Sequence, residues 1–146
     1  MLIVSACLLG VNCRYDGENS KSERVLKFLK KGNKKFIPVC PEQLGGLPTP
    51  RSPSILPDGG EKVLDGEGEV IMRGWGDVSS KFLRGAEETL KLAKIFDVDK
   101  AILKSGSPSC GSKKIPKDFQ GKSEGIGVTA ALIQRNGIEV LSEKEI

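Results

Sequence analysis

The chain has 146 residues, a net charge of +4 at neutral pH and no histidine. This length suits one domain with a proper hydrophobic core, and its 38% hydrophobic and 29% charged residues are ordinary for a globular protein. The lack of histidine excludes Ser-His-Asp triads, Cys-His nucleophile pairs and histidine-containing zinc sites. Acid–base chemistry must therefore use other side chains, and a transition-metal site must use thiolates.

The charge and the apolar runs also limit the partners and the compartment. The lysines are spread along the chain and aromatic residues make up only 5%, so we expect a solvated surface and no nucleic-acid partner. No apolar run is long enough to span a membrane, and the N-terminal run is too short for a signal peptide. We expect a cytoplasmic protein, in which four reduced cysteines indicate metal binding or catalysis before disulfides.

Predicted strands and helices alternate along the chain. Short apolar runs predict the strands, and apolar residues at helical spacing predict the helices. In chain order we predict a strand at 2–6, a helix capped at Ser20 and ending at Gly32-Asn33, a strand at 36–40, a helix from the cap Asp77 to Phe96, a strand at 100–104, a helix from Gly125-Ile126-Gly127 to Asn136-Gly137, and a strand at 138–141.

The segments between these elements are rich in glycine and proline. Residues 41–51 read as a stiff loop, and residues 112–124 as polar and irregular. Within 52–76 we predict a small hairpin, Lys62–Leu64 with Glu69–Met72. The whole pattern predicts one α/β domain spanning 1–146, with a three-layer, Rossmann-like parallel sheet, helices on both faces and a small β-hairpin insertion.

Three cysteines, Cys7, Cys40 and Cys110, stand at or just past the carboxyl ends of predicted strands. Those ends share one edge of a parallel sheet, where ligands bind, so the three thiols should converge. Isolated cysteines are often ordinary buried small hydrophobes, but these three adjoin loop residues instead of lying within strands. Zinc usually takes close cysteine pairs, and the chain has no C-x-x-C pair. Three thiolates suit a 4Fe-4S cluster with one open iron.

Several sequence blocks together resemble the thiouracil desulfurase family over nearly the whole chain. The blocks are Ser5-Ala6-Cys7-Leu8-Leu9-Gly10, Cys13-Arg14-Tyr15-Asp16-Gly17, Pro38-Val39-Cys40-Pro41-Glu42, Gly45-Gly46-Leu47-Pro48-Thr49-Pro50-Arg51, Leu103-Lys104 with Ser107-Pro108-Ser109-Cys110-Gly111, and Gly125-Ile126-Gly127-Val128-Thr129-Ala130. The resemblance implies a non-redox desulfurase that converts 2-thiouracil to uracil and sulfide. It also implies a 4Fe-4S cluster held by three cysteines.

By resemblance, Cys7, Cys40 and Cys110 are the cluster ligands, and the open iron takes the sulfur of the substrate. Glu42 matches an acidic residue proposed to move protons for the attacking water. Either Ser107 or Ser109 matches a substrate-side hydroxyl, and the two are not distinguished. The expected partner is therefore a small thiolated molecule, with neither a membrane nor a nucleic acid.

Cys13 has three interpretations. It could replace Cys7 as a ligand, supply a fourth ligand that closes the cluster, or stand near the cluster without binding it. We favour the last. A closed cluster would leave no open iron for the reaction.

Five further residues are candidate substrate-binding residues: Arg14, Tyr15, Asp16, Arg51 and Ser105. The first three either line the crevice or simply build the loop after the first strand. Arg51 either contacts the substrate or pairs with a carboxylate, and we favour pairing. The glycines before the last helix could form an anion site, but tight packing is the preferred interpretation.

Two other functions stay open at this stage. One is a non-catalytic protein in which all four cysteines form a closed structural zinc site. The other is an accessory module that delivers or senses sulfur, or binds tRNA. Iron with acid-labile sulfide would exclude the zinc site, and a glutamine in place of Glu42 should not affect an accessory module.

Overall fold

The computed structural model of the protein describes residues 1–146, and a four-stranded parallel sheet forms its centre. In chain order the elements are β1 (Leu2–Ser5), a 3-10 helix (Ala6–Leu9), α1 (Glu23–Lys30), β2 (Phe36–Val39), α2 (Pro41–Leu44), β3 (Ser54–Ile55), α3 (Gly60–Leu64), β4 (Ile71–Met72), β5 (Gly76–Asp77), α4 (Ser79–Ile95), β6 (Lys100–Leu103), β7 (Lys114–Asp118), β8 (Gly121–Glu124), α5 (Val128–Arg135) and β9 (Glu139–Ser142).

The central sheet has the strand order β2-β1-β6-β9, and every neighbouring pair is parallel. All four residues of β1 are buried, as expected for an apolar strand in the middle of a parallel sheet. Because the strands are parallel, β1, β2 and β6 all end at the same edge. The loops that carry the predicted functional residues begin at this edge.

Helices cover both faces of the sheet, which confirms the predicted three-layer α/β arrangement. Ile3 packs with Ala93 of α4 and Ala130 of α5 in a cluster of 11 buried residues. Its neighbour Val4 packs with Val25 of α1 in a separate cluster of nine. Successive side chains of a strand point to opposite faces, so this one strand contributes to both layers.

The hairpin predicted from 62–64 and 69–72 is wrong. Lys62–Leu64 forms the end of α3, which packs so closely on the start of α5 that a Cβ added to Gly60 would lie 2.5 Å from the carbonyl carbon of Gly127. Ile71–Met72 pairs instead with Ser54–Ile55 and with Gly76–Asp77, forming a small three-stranded antiparallel sheet.

A two-stranded hairpin does exist, but it is β7–β8, within the segment predicted to be irregular. Only Ile115 of this hairpin is fully buried, in the apolar cluster that also contains Leu56 and Phe82. All four residues of β8 are exposed. A single buried side chain gives no alternating pattern, so the polar sequence concealed the hairpin.

Two helices begin later than predicted. The N-cap of α1 is Ser22, whose side chain accepts a hydrogen bond from the backbone of Val25, because Ser20 is held in the preceding loop by the carbonyl of Cys7. Asp77 lies in β5, and its side chain accepts a hydrogen bond from the backbone of Ser79, the first residue of α4. No helix in the structure has the length and apolar character needed to cross a membrane.

Candidate active site

A cavity of about 490 Å³ opens at the carboxyl edge of the central sheet. Its inner wall comes from the loops that follow three of the parallel strands, as expected for a ligand site in an open parallel sheet. Its outer wall comes from the two small antiparallel sheets. The segments that line it include Ser105–Cys110 after β6, 53–55 around β3, Arg73, and Asp118–Lys122 of the β7–β8 hairpin.

All four cysteines are free thiols, and all four line this cavity. Cys7 lies in the 3-10 helix after β1, Cys40 immediately precedes α2, and Cys110 lies in the loop after β6. The strands therefore bring together the three thiols that the sequence separates by up to about a hundred residues.

The fourth thiol, Cys13, lies beside two of the others. It packs with Cys7 in one buried apolar cluster, and Cys40 packs against that cluster. The carbonyl oxygen of Cys13 accepts from Cys40 Sγ at 3.6 Å and from Arg51 Nη2 at 3.0 Å. Cys13 is thus a direct neighbour of two predicted ligands, and its backbone is fixed independently of its thiol.

The raised pKa values of Cys13, Cys40 and Cys110 keep these three thiols protonated at neutral pH. Burial raises the pKa of Cys110 to about 12, although hydrogen bonds with Ser5 and Ser109 lower it. The hydrogen bond with Cys40 lowers the pKa of Cys13, but Cys7 and burial together raise it to about 11. The hydrogen bond with Cys13 and burial also raise the pKa of Cys40. Binding a metal group would therefore release protons from these thiols.

The donor set fits an iron–sulfur cluster better than a single metal ion. No group of three or more Cys, Asp or Glu side chains lies close enough together to hold one metal ion. A 4Fe-4S cluster would take one thiolate each from Cys7, Cys40 and Cys110, so these side chains would not have to meet at a single ion. Thiolates are also the preferred ligands of such clusters. The geometry gives no support to the closed four-thiolate zinc site.

The short helix α2 positions Glu42 at the carboxyl edge of the central sheet. Pro41 occupies the first helical position, which suits its fixed backbone angle. Helices α2 and α4 touch backbone to backbone, since a Cβ on Gly45 would collide with the carbonyl oxygen of Lys81. This packing places the Glu42 side chain, on a residue only 8% exposed, in the cavity wall.

Arg51 is a fixed partner of Glu42. Its Nε donates to Glu42 Oε1 at 2.9 Å, and its side chain is 3% exposed. Its Nη1 donates to the carbonyl of Pro48 and to Thr49 Oγ1, and its Nη2 donates to the carbonyl of Cys13. Of the two interpretations of Arg51, the structure shows pairing with a carboxylate.

The two serines of the Ser-Pro-Ser-Cys-Gly block have different positions. Ser109 is buried and donates to Glu42 Oε2 at 2.9 Å. Ser107 Oγ accepts from the backbone N–H groups of Ser109 and Cys110 and lies 3.1 Å from Ser109 Oγ. Since the Ser109 proton is directed to Glu42, the hydrogen bond between the hydroxyls runs from Ser107 to Ser109. The two serines and Glu42 form one continuous hydrogen-bonded chain.

Ser105 also lines the cavity, but its hydroxyl is engaged within the protein. It donates to Glu143 Oε1 at 2.6 Å, and the Ser105 backbone donates to Glu143 Oε2. Lys104 Nζ completes this group at 3.1 Å from Glu143 Oε1. Burial alone raises the pKa of Glu143, but the hydrogen bonds from Ser105 and the Lys104 ammonium outweigh it and lower the pKa.

The loop after Cys13 divides between the cavity and the solvent. Arg14 and Tyr15 line the cavity, and the Arg14 guanidinium lies 5.7 Å from the centre of the Tyr15 ring. Asp16 is outside the cavity wall. Its side chain accepts from the backbone of Glu18 and pairs with Arg14 at 3.6 Å, so it builds the loop.

The chain is similar to known proteins along nearly its whole length. The sequence model of the 2-thiouracil desulfurase family matches residues 2–145. This chain belongs to that family. The uncharacterized protein YbbK of Bacillus subtilis (strain 168) is 43% identical over 149 residues, covering 100% of this chain and 97% of that protein. A solved structure of the [4Fe-4S]-dependent thiouracil desulfidase TudS superposes with a TM-score of 0.84 at 41% identity, covering 99% of this chain and 91% of that chain.

Parts of the desulfurase-family cavity were missed by the sequence reasoning. The β7–β8 hairpin contributes Phe119 and Lys122, and the turn between β4 and β5 contributes Arg73. Ser5, at the end of β1, also lines the cavity. The polar run from 117 to 124 contains one aromatic residue, Phe119, and this was the one signal in the sequence for this wall.

Proposed function

We propose that this protein is a 4Fe-4S-dependent, non-redox desulfurase that removes sulfur from a thiolated pyrimidine such as 2-thiouracil, giving uracil and sulfide. The family match and the likeness to a thiouracil desulfidase support this proposal. The observation that carries it is one cavity lined by three strand-end thiols together with Glu42. Its free thiols also support a cytoplasmic location, where they stay reduced.

Cys7, Cys40 and Cys110 would hold the cluster, each through one thiolate. When bound, it supplies an iron that favours soft ligands such as a thiocarbonyl sulfur. Cys13 stays a neighbour without a bond to iron, so that one iron keeps an open position. Its packing beside Cys7 and the hydrogen bond that its carbonyl oxygen accepts from Cys40 support a role in arranging those two ligands.

The overall reaction exchanges sulfur for oxygen without electron transfer. Water forms a bond to the carbon that carried sulfur, the carbon–sulfur bond breaks, and both water protons leave with the sulfur as hydrogen sulfide. Glu42 takes the proton of the attacking water at Oε2, the oxygen that Arg51 leaves free. General acid–base catalysis by a placed side chain of this kind typically contributes about 10²–10⁴ in rate.

Ser109 and Ser107 assist this proton transfer. Ser109 holds Glu42 Oε2 by its hydroxyl, and Ser107, which is less buried and lines the cavity, donates to Ser109. Ser107 is therefore the hydroxyl that a substrate in the cavity can reach, with Ser109 passing a proton between it and Glu42. Arg51 fixes the orientation of the carboxylate.

The test is anaerobic reconstitution with iron and sulfide, followed by iron and sulfide counting, a visible spectrum and sulfide release from 2-thiouracil. It is applied to the wild type and to alanine variants of each cysteine. We expect the cluster to be lost in the variants of Cys7, Cys40 and Cys110 and kept in Cys13→Ala. Equal dependence on all four cysteines, or a wild type that binds no iron, would contradict the proposal.

A further inference from the structure

Phe119 is an aromatic side chain that the fold itself does not require. It lies at the tip of the β7–β8 hairpin, between Asp118 and Gln120, and is 40% exposed. It belongs to none of the three apolar clusters that form the core. Its ring nevertheless lines the cavity. An exposed aromatic residue in a polar hairpin at a cavity wall is a feature that a ligand would use.

The guanidinium of Arg73 lies over the Phe119 ring. It is 4.5 Å from the ring centre, and Arg73 comes from a different segment, the turn between β4 and β5. Arg73 takes part in none of the nine ion pairs of the structure, so its interaction with Phe119 does not compete with a carboxylate. A cation placed over a ring face is attracted to the ring's negative face and limits the ring's rotation.

We propose that Phe119 determines specificity by stacking on the planar ring of the substrate, and that Arg73 is a positioning residue that holds the Phe119 ring. This inference rests on the proposed function. A thiolated pyrimidine is flat and aromatic, and a phenyl ring offers it a face for stacking that is selective for planarity. The hydroxyls and the carboxylate of the inner wall can hydrogen-bond only to the polar edges of such a ring, and none of them recognises its planarity.

Stacking can be separated from hydrogen bonding with two probes that have the same polar groups. Uracil is planar, whereas 5,6-dihydrouracil is puckered, and neither contains sulfur, so the enzyme cannot consume them. We expect the reconstituted wild type to bind uracil about tenfold more tightly than dihydrouracil, measured by calorimetric titration, as expected for one base–aromatic stack.

The variant Phe119→Leu keeps an apolar side chain but lacks the ring. We expect it to lose most of the uracil preference and to raise KM for 2-thiouracil about tenfold, with kcat and the cluster spectrum unchanged. The matched control is Phe96→Leu, since Phe96 is similarly exposed, at 45%, but lies at the end of α4 outside the cavity. The control should keep the wild-type preference.

The role of Arg73 is tested by non-additivity. Arg73→Gln should weaken uracil binding about threefold in the wild type and have no effect on it when Phe119 is already leucine. Arg73→Lys, which keeps the cation, should restore part of the loss. A merely structural role would give equal losses in both backgrounds, and that result would overturn the role of Arg73.

The two proposals can fail separately. If the wild type releases sulfide and Phe119→Leu keeps the preference for uracil, the stacking role is wrong and the desulfurase function stands. If the wild type releases no sulfide but its preference for planar rings depends on Phe119, the reaction is wrong and the stacking role stands. A wild type without any preference between the two probes overturns the stacking role.

Discussion

Arg51 and Glu42 form an ion pair inside the cavity wall, with Arg51 Nε 2.9 Å from Glu42 Oε1 and side chains that are 3% and 11% exposed. Removing one member of such a pair leaves the other charge buried without its partner, which costs about 3–5 kcal/mol. We expect Arg51→Ala to lower the free energy of unfolding by about this amount, measured with urea, and to reduce turnover because Glu42 is no longer oriented.

The matched control for this variant is Arg135→Ala. Arg135 pairs with Asp65 at the same distance, 2.9 Å, but at the surface, where such pairs contribute little. We expect the free energy of unfolding of Arg135→Ala to equal that of the wild type. If the two substitutions lower the free energy of unfolding equally, burial does not increase the contribution of the Arg51–Glu42 pair to stability.

Glu42→Gln should keep the cluster and lose the reaction. The amide preserves the volume and can still contact Ser109 and Arg51, but it cannot accept the proton of the attacking water. We expect kcat for sulfide release to fall by about 10²–10⁴, with the iron content and the visible spectrum unchanged. Glu87→Gln, at an exposed position of α4, is the control and should keep full activity. A fully active Glu42→Gln would remove Glu42 from the mechanism.

Alanine substitutions of Ser109 and Ser107 should have different effects on turnover and stability. Ser109→Ala removes the donor to Glu42 Oε2, so we expect kcat to fall on the order of 10²-fold with the cluster retained. Ser107→Ala removes the acceptor of two backbone N–H groups, so we expect a loss of about 1–3 kcal/mol in the free energy of unfolding and poorer cluster retention. It should also lower kcat, because it removes the hydroxyl that reaches the substrate, but only this variant should lose stability and iron. Ser112→Ala is the control, since the Ser112 hydroxyl has no hydrogen-bond partner.

The parallel sheet was predictable because its strands are marked by short apolar runs in the local sequence. The runs that became β1 and β6 are apolar, and their ends place Cys7 and Cys110 at one edge by the rules of parallel sheets alone. For these two cysteines, strand order and chain direction were sufficient. Glu42 was a candidate through the family resemblance, and its place in the cavity wall is seen only in the structure.

The outer wall depends on contacts between distant segments, and local patterns do not contain them. Phe119 meets Arg73 across 46 positions of the chain, and nothing near either residue specifies the other. Ser105 and Glu143 are also far apart in the chain. The sequence suggested a Ser105 hydroxyl free to bind substrate, but in the structure this hydroxyl donates to Glu143. Asp16 was a candidate either for lining the crevice or for building the loop, and the local turn with Glu18 holds its side chain outside the cavity.

The stability of the metal-free, reduced protein should fall at alkaline pH. The pKa values of Cys13 and Cys110 rise from an ordinary 9.0 to about 11 and about 12 in the folded protein. Above pH 9 the unfolded chain releases these protons while the folded protein keeps them. The contribution of these thiols to the free energy of unfolding is therefore fully present below pH 9 and is lost as the pH rises toward 12. The loss is about 1.4 kcal/mol per pH unit for each thiol.

Urea unfolding at pH 8 and pH 10 measures this dependence. The pKa of the Cys40 thiol is raised as well, so Cys110→Ala removes one of three such thiols. Its free energy of unfolding should therefore fall less between these pH values than that of the wild type. Equal slopes for the two proteins would show that the Cys110 thiol does not keep its proton in the folded state.

Gly127 is where α5 supports the loop of Ser109 and Cys110. A Cβ added to Gly127 would lie 2.6 Å from the carbonyl carbon and oxygen of Ser109 and 2.7 Å from the carbonyl oxygen of Pro108. These contacts are with backbone, which cannot move aside without shifting the loop. The structure thus shows tight packing at Gly127. We expect Gly127→Ala to lower the free energy of unfolding by about 1–3 kcal/mol and to reduce the iron retained after reconstitution.

The control for Gly127→Ala is Gly121→Ala in the β7–β8 hairpin. Gly121 also lines the cavity, but a Cβ added there meets nothing within 4 Å. We expect Gly121→Ala to keep both its stability and its full iron content. If Gly127→Ala binds iron as well as this control does, the loop can shift without moving the Cys110 thiol, and the close contact between α5 and the loop serves stability alone.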